Sequence, residues 1–172
     1  IRKSQKLWIS RKNIIYNIIA DMHNFKSLKN ALKNYNNLIC LGDIGATLDK
    51  KELFKDDNFN KFGLTWKAFA RRDFSQTSEE AKNWFKKVNI DGWKRQLDTV
   101  RNSGKSITLL QGNADLFMIN TFPECRVYLE TAKKESKLEF IEEPELKLIE
   151  NTQILFLPYQ NEEYNLKNII EN

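Results

Sequence analysis

The first apolar stretch of the chain is residues 14–20, IIYNIIA, a run of strand length rich in β-branched side chains that stops at Asp21. A run that is apolar on both faces predicts a buried strand of a parallel sheet. The period then changes. Phe25, Leu28, Ala31, Leu32 and Tyr35 recur at helical spacing with lysines opposite, which predicts an amphipathic helix over 25–36. Residues 37–42, NLICLG, form a second short apolar run, so 14–42 reads as a strand–helix–strand unit. Turn and charge signals at Asp56, Asp57, Asn58 and Gly63 mark 43–65 mostly as loop. Residues 66–104 read as helical, in two helices broken near Asp91-Gly92, with Ser78-Glu79-Glu80 as a start and Gly104 as a stop. SITLLQ at 106–111 predicts a third buried strand. From 138 onward KLEFIEEP, ELKLIE and TQILFLPY are short alternating or apolar runs, expected as antiparallel strands with a tight turn near Asn151. Residues 162–171 suit a closing helix.

Composition narrows the class. A length of 172 residues with 41% hydrophobic and 30% charged positions fits one globular domain with a sizeable core, 1–172, in which about 48–105 forms a helical insertion or cap. No apolar run approaches the roughly 18 residues of a membrane span, and no signal-peptide core follows the basic N-terminus. The expectation is a cytoplasmic protein without a membrane partner. Cys40 and Cys125 lie far apart and are expected as small buried residues in a reducing compartment. The net charge of +5 is unevenly spread: residues 66–105 hold ten Lys/Arg against five Asp/Glu, and 130–172 hold ten Glu against five Lys. That asymmetry suits a polyanionic substrate near the first half, and suits solvated helix faces nearly as well.

The candidate chemistry sits where the three predicted parallel strands end. The first ends in Asp21-Met22-His23, the second in Gly42-Asp43-Ile44-Gly45, the third in Gly112-Asn113-Ala114-Asp115. Ligand sites of open α/β sheets gather at the carboxyl ends of strands, so clusters far apart in sequence can converge there. Two carboxylates, an imidazole and a neutral amide oxygen form a mixed N/O donor set of the kind that suits Mn, Fe, Zn or Ni. Each cluster alone also has a plain explanation: Asp21 as the cap of the helix near Phe25, His23 as a loop histidine, and Gly-Asp and Gly-Asn as ordinary turns.

D-x-H, then G-D, then G-N, each after an apolar strand and in that order, resembles the calcineurin-like metallophosphoesterases over residues 14–115. The resemblance implies an α/β fold in the form of a β-sandwich flanked by helices, and hydrolysis of phosphate esters at a centre of two divalent metal ions. It implies that Asp21 and His23 bind the first metal, that Asp43 bridges, and that Asn113 binds the second. Catalysis would rest on Asp43 and Asn113, with Asp115 orienting the site. The family's usual G-N-H is G-N-A here, with Ala114 in the histidine position, a variant closer to phosphodiesterase branches. The family's later histidines, including G-H-x-H, have no counterpart, since His23 is the only histidine. Two expectations follow: further strands and ligands beyond Asn172, or a catalytically degenerate scaffold that binds protein or nucleic acid. A phosphodiesterase or nuclease-like enzyme is the leading reading.

Residues 66–105 also interleave Trp66, Trp84, Trp93, Phe69, Phe74 and Phe85 with Arg71, Arg72, Lys82, Lys86, Lys87, Lys94 and Arg95. Positive charge with aromatic platforms suits a nucleic-acid channel. An amphipathic helical pair, rings inward and charges outward, explains the same pattern.

Overall fold

A computed structural model describes residues 16–19, 25–44, 54–65, 77–149 and 152–159. The elements in chain order are β1 (Asn17–Ile19), α1 (Phe25–Asn34), β2 (Asn37–Cys40), α2 (Asp57–Lys61), α3 (Glu79–Ser103), β3 (Ser106–Leu110), α4 (Asn113–Thr121), α5 (Pro123–Glu135), β4 (Leu138–Ile141), β5 (Glu145–Ile149) and β6 (Thr152–Phe156). Strands β1 to β4 form one parallel sheet in the order β1-β2-β3-β4, and β5 pairs antiparallel with β6. The protein is thus α/β, with a four-stranded parallel sheet and helices.

Alternation along the strands decides which layer each residue joins. Leu38, Cys40, Ile107, Leu109, Leu138 and Phe140 turn to one face and pack with Leu28, Trp93, Leu97, Met118 and Leu129 of the helices. Ile39, Leu110 and Ile141 turn to the other face and pack with Ile149, Ile154 and Phe156 of the β5–β6 hairpin. Crossovers of one hand that advance in one direction place every connecting helix on the same face. The opposite face is left for the hairpin, and the result is helices, parallel sheet and hairpin in three layers.

Helix α3 is the β2–β3 crossover. Ser78 caps it, its side chain accepting from Ala81 N, and Gly104 ends it in the left-handed region at φ 65°. The expected break at Asp91-Gly92 does not occur: α3 runs through 25 residues. A helical glycine costs about 1 kcal/mol, and burial of Trp93, Leu97 and Val100 on the same helix outweighs that. The segment 48–105, expected as an insertion or cap, therefore contains the helix that covers the sheet. Its aromatic residues serve packing where they are described. Trp93 is fully buried and donates from Nε1 to Cys125 O at 3.1 Å. Phe85 and Trp84 pack on Phe59 of α2. Lys86 pairs with Glu124, and Arg101 with Asp98 and Glu135. Trp66, Phe69, Phe74, Arg71 and Arg72 lie outside the described residues, as do 162–171 and the turn at Asn151.

Strand β4 corrects a second expectation. KLEFIEEP was expected to be antiparallel, but Leu138–Ile141 runs parallel to β3, with Ile107 opposite Leu138. The cause is the pair α4–α5, a crossover long enough to return the chain to the start of the sheet. Pro123 at the first position of α5 was the available signal for it. The alternation of ELKLIE and TQILF as an antiparallel pair is observed, with Ile149 opposite Thr152. Cys40 and Cys125 are both free and buried. No helix among the described residues is long and apolar enough to cross a membrane.

Candidate functional site

The two loops that follow β2 and β3 meet. Parallel pairing puts Cys40 beside Leu109, so both strands end at the same edge of the sheet. Gly42 turns away in the left-handed region at φ 90°, and Asp43 follows at φ 60°, a conformation L-residues other than Gly, Asn and Asp rarely hold. Contact between the loops explains the glycines. A Cβ on Gly42 would lie 2.7 Å from Gly112 Cα, and a Cβ on Gly112 would lie 2.5 Å from Asp43 N. Neither position has room for a side chain.

The bonds across this contact are reciprocal. Asp115 is fully buried, and its Oδ2 accepts from Asp43 N and from Gly112 N, each at 2.8 Å. Asp43 Oδ1 in turn accepts from Ala114 N at 2.9 Å. In helical terms Gly112 is the N-cap of α4 and Asp115 its third residue, reaching back to the N-cap N–H as in a capping box. The other half of such a box is normally the N-cap side chain. Glycine has none, and Asp43, 71 residues away, supplies the missing acceptor to Ala114 N. A carboxylate in the first turn also meets the positive end of the helix dipole.

Asn113 completes the arrangement at the exposed surface. Its side-chain amide stands 3.1 and 3.2 Å from the two Asp43 carboxylate oxygens. With the amide nitrogen turned inward it donates to both. Asp43 and Asn113 are therefore brought together, with Asp115 directly beneath. Asp21 and His23 lie outside the described residues. Among the described residues no group of three or more His, Cys, Asp or Glu side chains forms a cluster.

A further connection at this edge was not anticipated. Gln111, at the end of β3, accepts from Tyr159 N at 2.6 Å through its backbone oxygen and donates from Nε2 to Tyr159 O at 3.0 Å. Strand β6 runs back toward the site edge, so Tyr159 after it lies against the end of β3. The sequence signal was slight: a polar residue closing an apolar strand, and a tyrosine closing another. A groove of about 650 Å³ lies elsewhere, between α1 and α3, lined by Leu32, Lys33, Asp91, Lys94 and Asp98 among others. It contains none of the residues of the two loops. Comparison with protein-family models, curated proteins and solved structures finds no match to this chain.

Proposed function

We propose that the chain hydrolyses phosphate esters, phosphodiesters in particular, at a two-metal centre of the calcineurin-like metallophosphoesterase type, of which Asp43 and Asn113 form the described part. One observation carries the proposal: the Asp43 carboxylate and the Asn113 amide stand face to face, 3.1 and 3.2 Å apart, at the carboxyl edge of a parallel sheet. The ordered G-D and G-N motifs put these two residues at one point of that edge. The helix–sheet–hairpin layering is in keeping with the sandwich such enzymes have.

The donors present fit a divalent cation. Two carboxylate oxygens and an amide oxygen are hard ligands, and the amide needs only to rotate to offer its oxygen. Asp43 would bridge the metals and Asn113 would hold the second. Asp21 and His23 would hold the first. The ions these residues would hold would supply an activated water and neutralise charge in an in-line displacement at phosphorus. Asp115 positions Asp43 through its backbone N–H. Ala114 brings no proton donor, so the arrangement favours leaving groups that need none, such as an aryl oxide.

The test is the metal content of the purified chain, together with hydrolysis of bis(p-nitrophenyl) phosphate in added Mn²⁺, for the wild type and for Asp43→Asn. Expected are bound metal and turnover in the wild type, both lost in the variant. Turnover that survives Asp43→Asn with metal still bound would refute the bridging role. A wild type with neither metal nor turnover would leave a scaffold without this chemistry.

A further inference from the structure

The groove between α1 and α3 encloses about 650 Å³, the size of a ligand site, and shares no residue with the two loops. Ser103 leads into β3, so the groove runs down to the edge where the parallel strands begin, away from Asp43. Its two walls carry the same charge. Lys29 and Lys33 stand one turn apart on α1, and Lys94 and Arg95 line the α3 wall. Two acids share the lining, but Asp98 is already engaged: its Oδ1 accepts from Tyr128 Oη at 2.7 Å and pairs with Arg101 at 2.9 Å. That leaves Asp91 among the four cations. Lys33 and Lys94 have no ion-pair partner among the described residues, and Lys94 lies instead over the Tyr128 ring, 5.6 Å from its centroid. Cations of a solvated helix face spread around the cylinder; these converge on one concavity from two helices. Repulsion across the groove is relieved by an anion, and an apolar floor at buried Leu32 concentrates the field there.

We infer that this groove binds a single strand of nucleic acid by its phosphate backbone. The charge of the walls selects an anion. Their length selects an extended one: the α3 wall runs from Asp91 to Ser103, about 18 Å at the rise of an α-helix, which matches about five nucleotides at about 3.4 Å each. Their separation selects one strand, because packed helix axes lie about 8–10 Å apart and the major groove of a duplex alone is about 12 Å wide. Among the described residues no aromatic ring lines the groove, so the contacts are to phosphates and carry no sequence preference. The inference does not use the phosphoesterase reading, since none of these residues belongs to that site.

The test is fluorescence anisotropy of a labelled oligothymidylate in EDTA, which removes divalent metal and with it any hydrolysis. The wild type is compared with Lys33→Ala/Lys94→Ala and with Lys134→Ala/Lys137→Ala, which removes the same charge from exposed positions outside the groove. Circular dichroism checks that each variant is folded. About four phosphate contacts at a slope of about −0.7 each should make the wild-type affinity fall about fiftyfold between about 50 and 200 mM salt. The groove variant, with about two contacts left, should bind more weakly at the lower salt and fall only about sevenfold over that range. The control variant should keep the wild-type salt dependence. Equal salt dependence in the two double variants overturns the groove, as does failure of the wild type to bind. A duplex bound as tightly as the single strand overturns the single strand. Inorganic triphosphate that competes as well as unlabelled oligothymidylate overturns the strand in favour of a small anion. Asp43→Asn should bind the strand as the wild type does, whatever becomes of the metal-site reading; loss of binding in that variant would move the strand to the loops and overturn the groove.

Discussion

Removing the Asp115 carboxylate should destabilise the fold more than any surface change. Its Oδ2 accepts from Asp43 N and Gly112 N at 2.8 Å each, and the residue is fully buried. In Asp115→Ala both N–H groups lose that acceptor. A buried donor without a partner costs about 1–3 kcal/mol, so two cost about 2–6 kcal/mol. Two effects work against this: the charge no longer needs to be desolvated, and a water can enter the space left. The expected loss is therefore about 2–4 kcal/mol, a large share of the roughly 5–15 kcal/mol that holds a domain together. Asp115→Asn keeps an oxygen acceptor and loses the charge. Neutral bonds have about half the strength of charge-assisted ones, so the expected loss is about 1–2 kcal/mol. Urea unfolding followed by tryptophan fluorescence measures both variants. An alanine variant within about 0.5 kcal/mol of the wild type would refute the clasp. So would an asparagine variant as unstable as alanine, because the acceptor would then not be what matters.

Three further outcomes are expected. Gly42→Ala combines a positive φ with a Cβ 2.7 Å from Gly112 Cα and should lower stability by about 2 kcal/mol or more; Gly63→Ala, at φ 60° with nothing within 4 Å, has only the backbone cost of about 1 kcal/mol, and equal melting temperatures for the two would contradict the close approach. Burial, with the nearby Glu124 charge, pushes the Cys125 thiol from 9.0 up to about 12. The folded chain then keeps a proton that the unfolded chain releases, so this contribution to stability is whole below the unfolded value and is lost as pH rises toward the folded one. The gap in urea midpoint between the wild type and Cys125→Ala should narrow across that window, and the native thiol should resist Ellman's reagent at neutral pH. Asn113→Ala should cost at most about 1 kcal/mol without metal, since its side chain is at the surface, yet should remove most of the thermal stabilisation given by Mn²⁺; an equal Mn²⁺ shift in both proteins would exclude Asn113 as a ligand.

How much of this was legible in the sequence depends on the range of the interaction involved. The strands at β2 and β3 were legible because NLIC and SITLL are apolar on both faces, the mark of a central parallel strand. Helix α3 was legible at both ends, since Ser78 and Gly104 are local cap signals, but not at its middle. There, Gly92 looks like a break, and only the burial of Trp93 against the sheet overrides it. Helix α4 gave no clear sign. Asn113–Thr121 is buried along Ala114, Asp115, Met118 and Ile119 and has no polar stripe to set a period. Its cap comes from another loop, which no local motif can announce. The direction of β4 was hidden for the same reason, because it depends on α4 and α5. At the candidate site the residue types were legible and Asp43 and Asn113 do meet. The role of Gln111 in anchoring Tyr159 was not, since 48 residues separate the partners.

The clasp also bears on how a cation would bind. A residue at φ 60° with a Cβ pays about 1–2 kcal/mol for its conformation. Asp43 bears that cost with its N–H held by Asp115 and its Oδ1 held by Ala114 N. Both bonds lie within the protein, so the loop conformation does not wait for a ligand. A site of that kind differs from small metal domains that fold only when loaded, where the metal must supply the ordering energy. Here the strain sits at the proposed bridging ligand and is offset by the N-terminus of α4, which in exchange gains the cap that Gly112 cannot give. The exchange explains why the two glycines and the two aspartates belong together. Each glycine makes room for the other loop, and each aspartate satisfies a backbone group that the opposite loop exposes. The exposed Asn113 amide closes the set at the surface, donating to both oxygens of the Asp43 carboxylate.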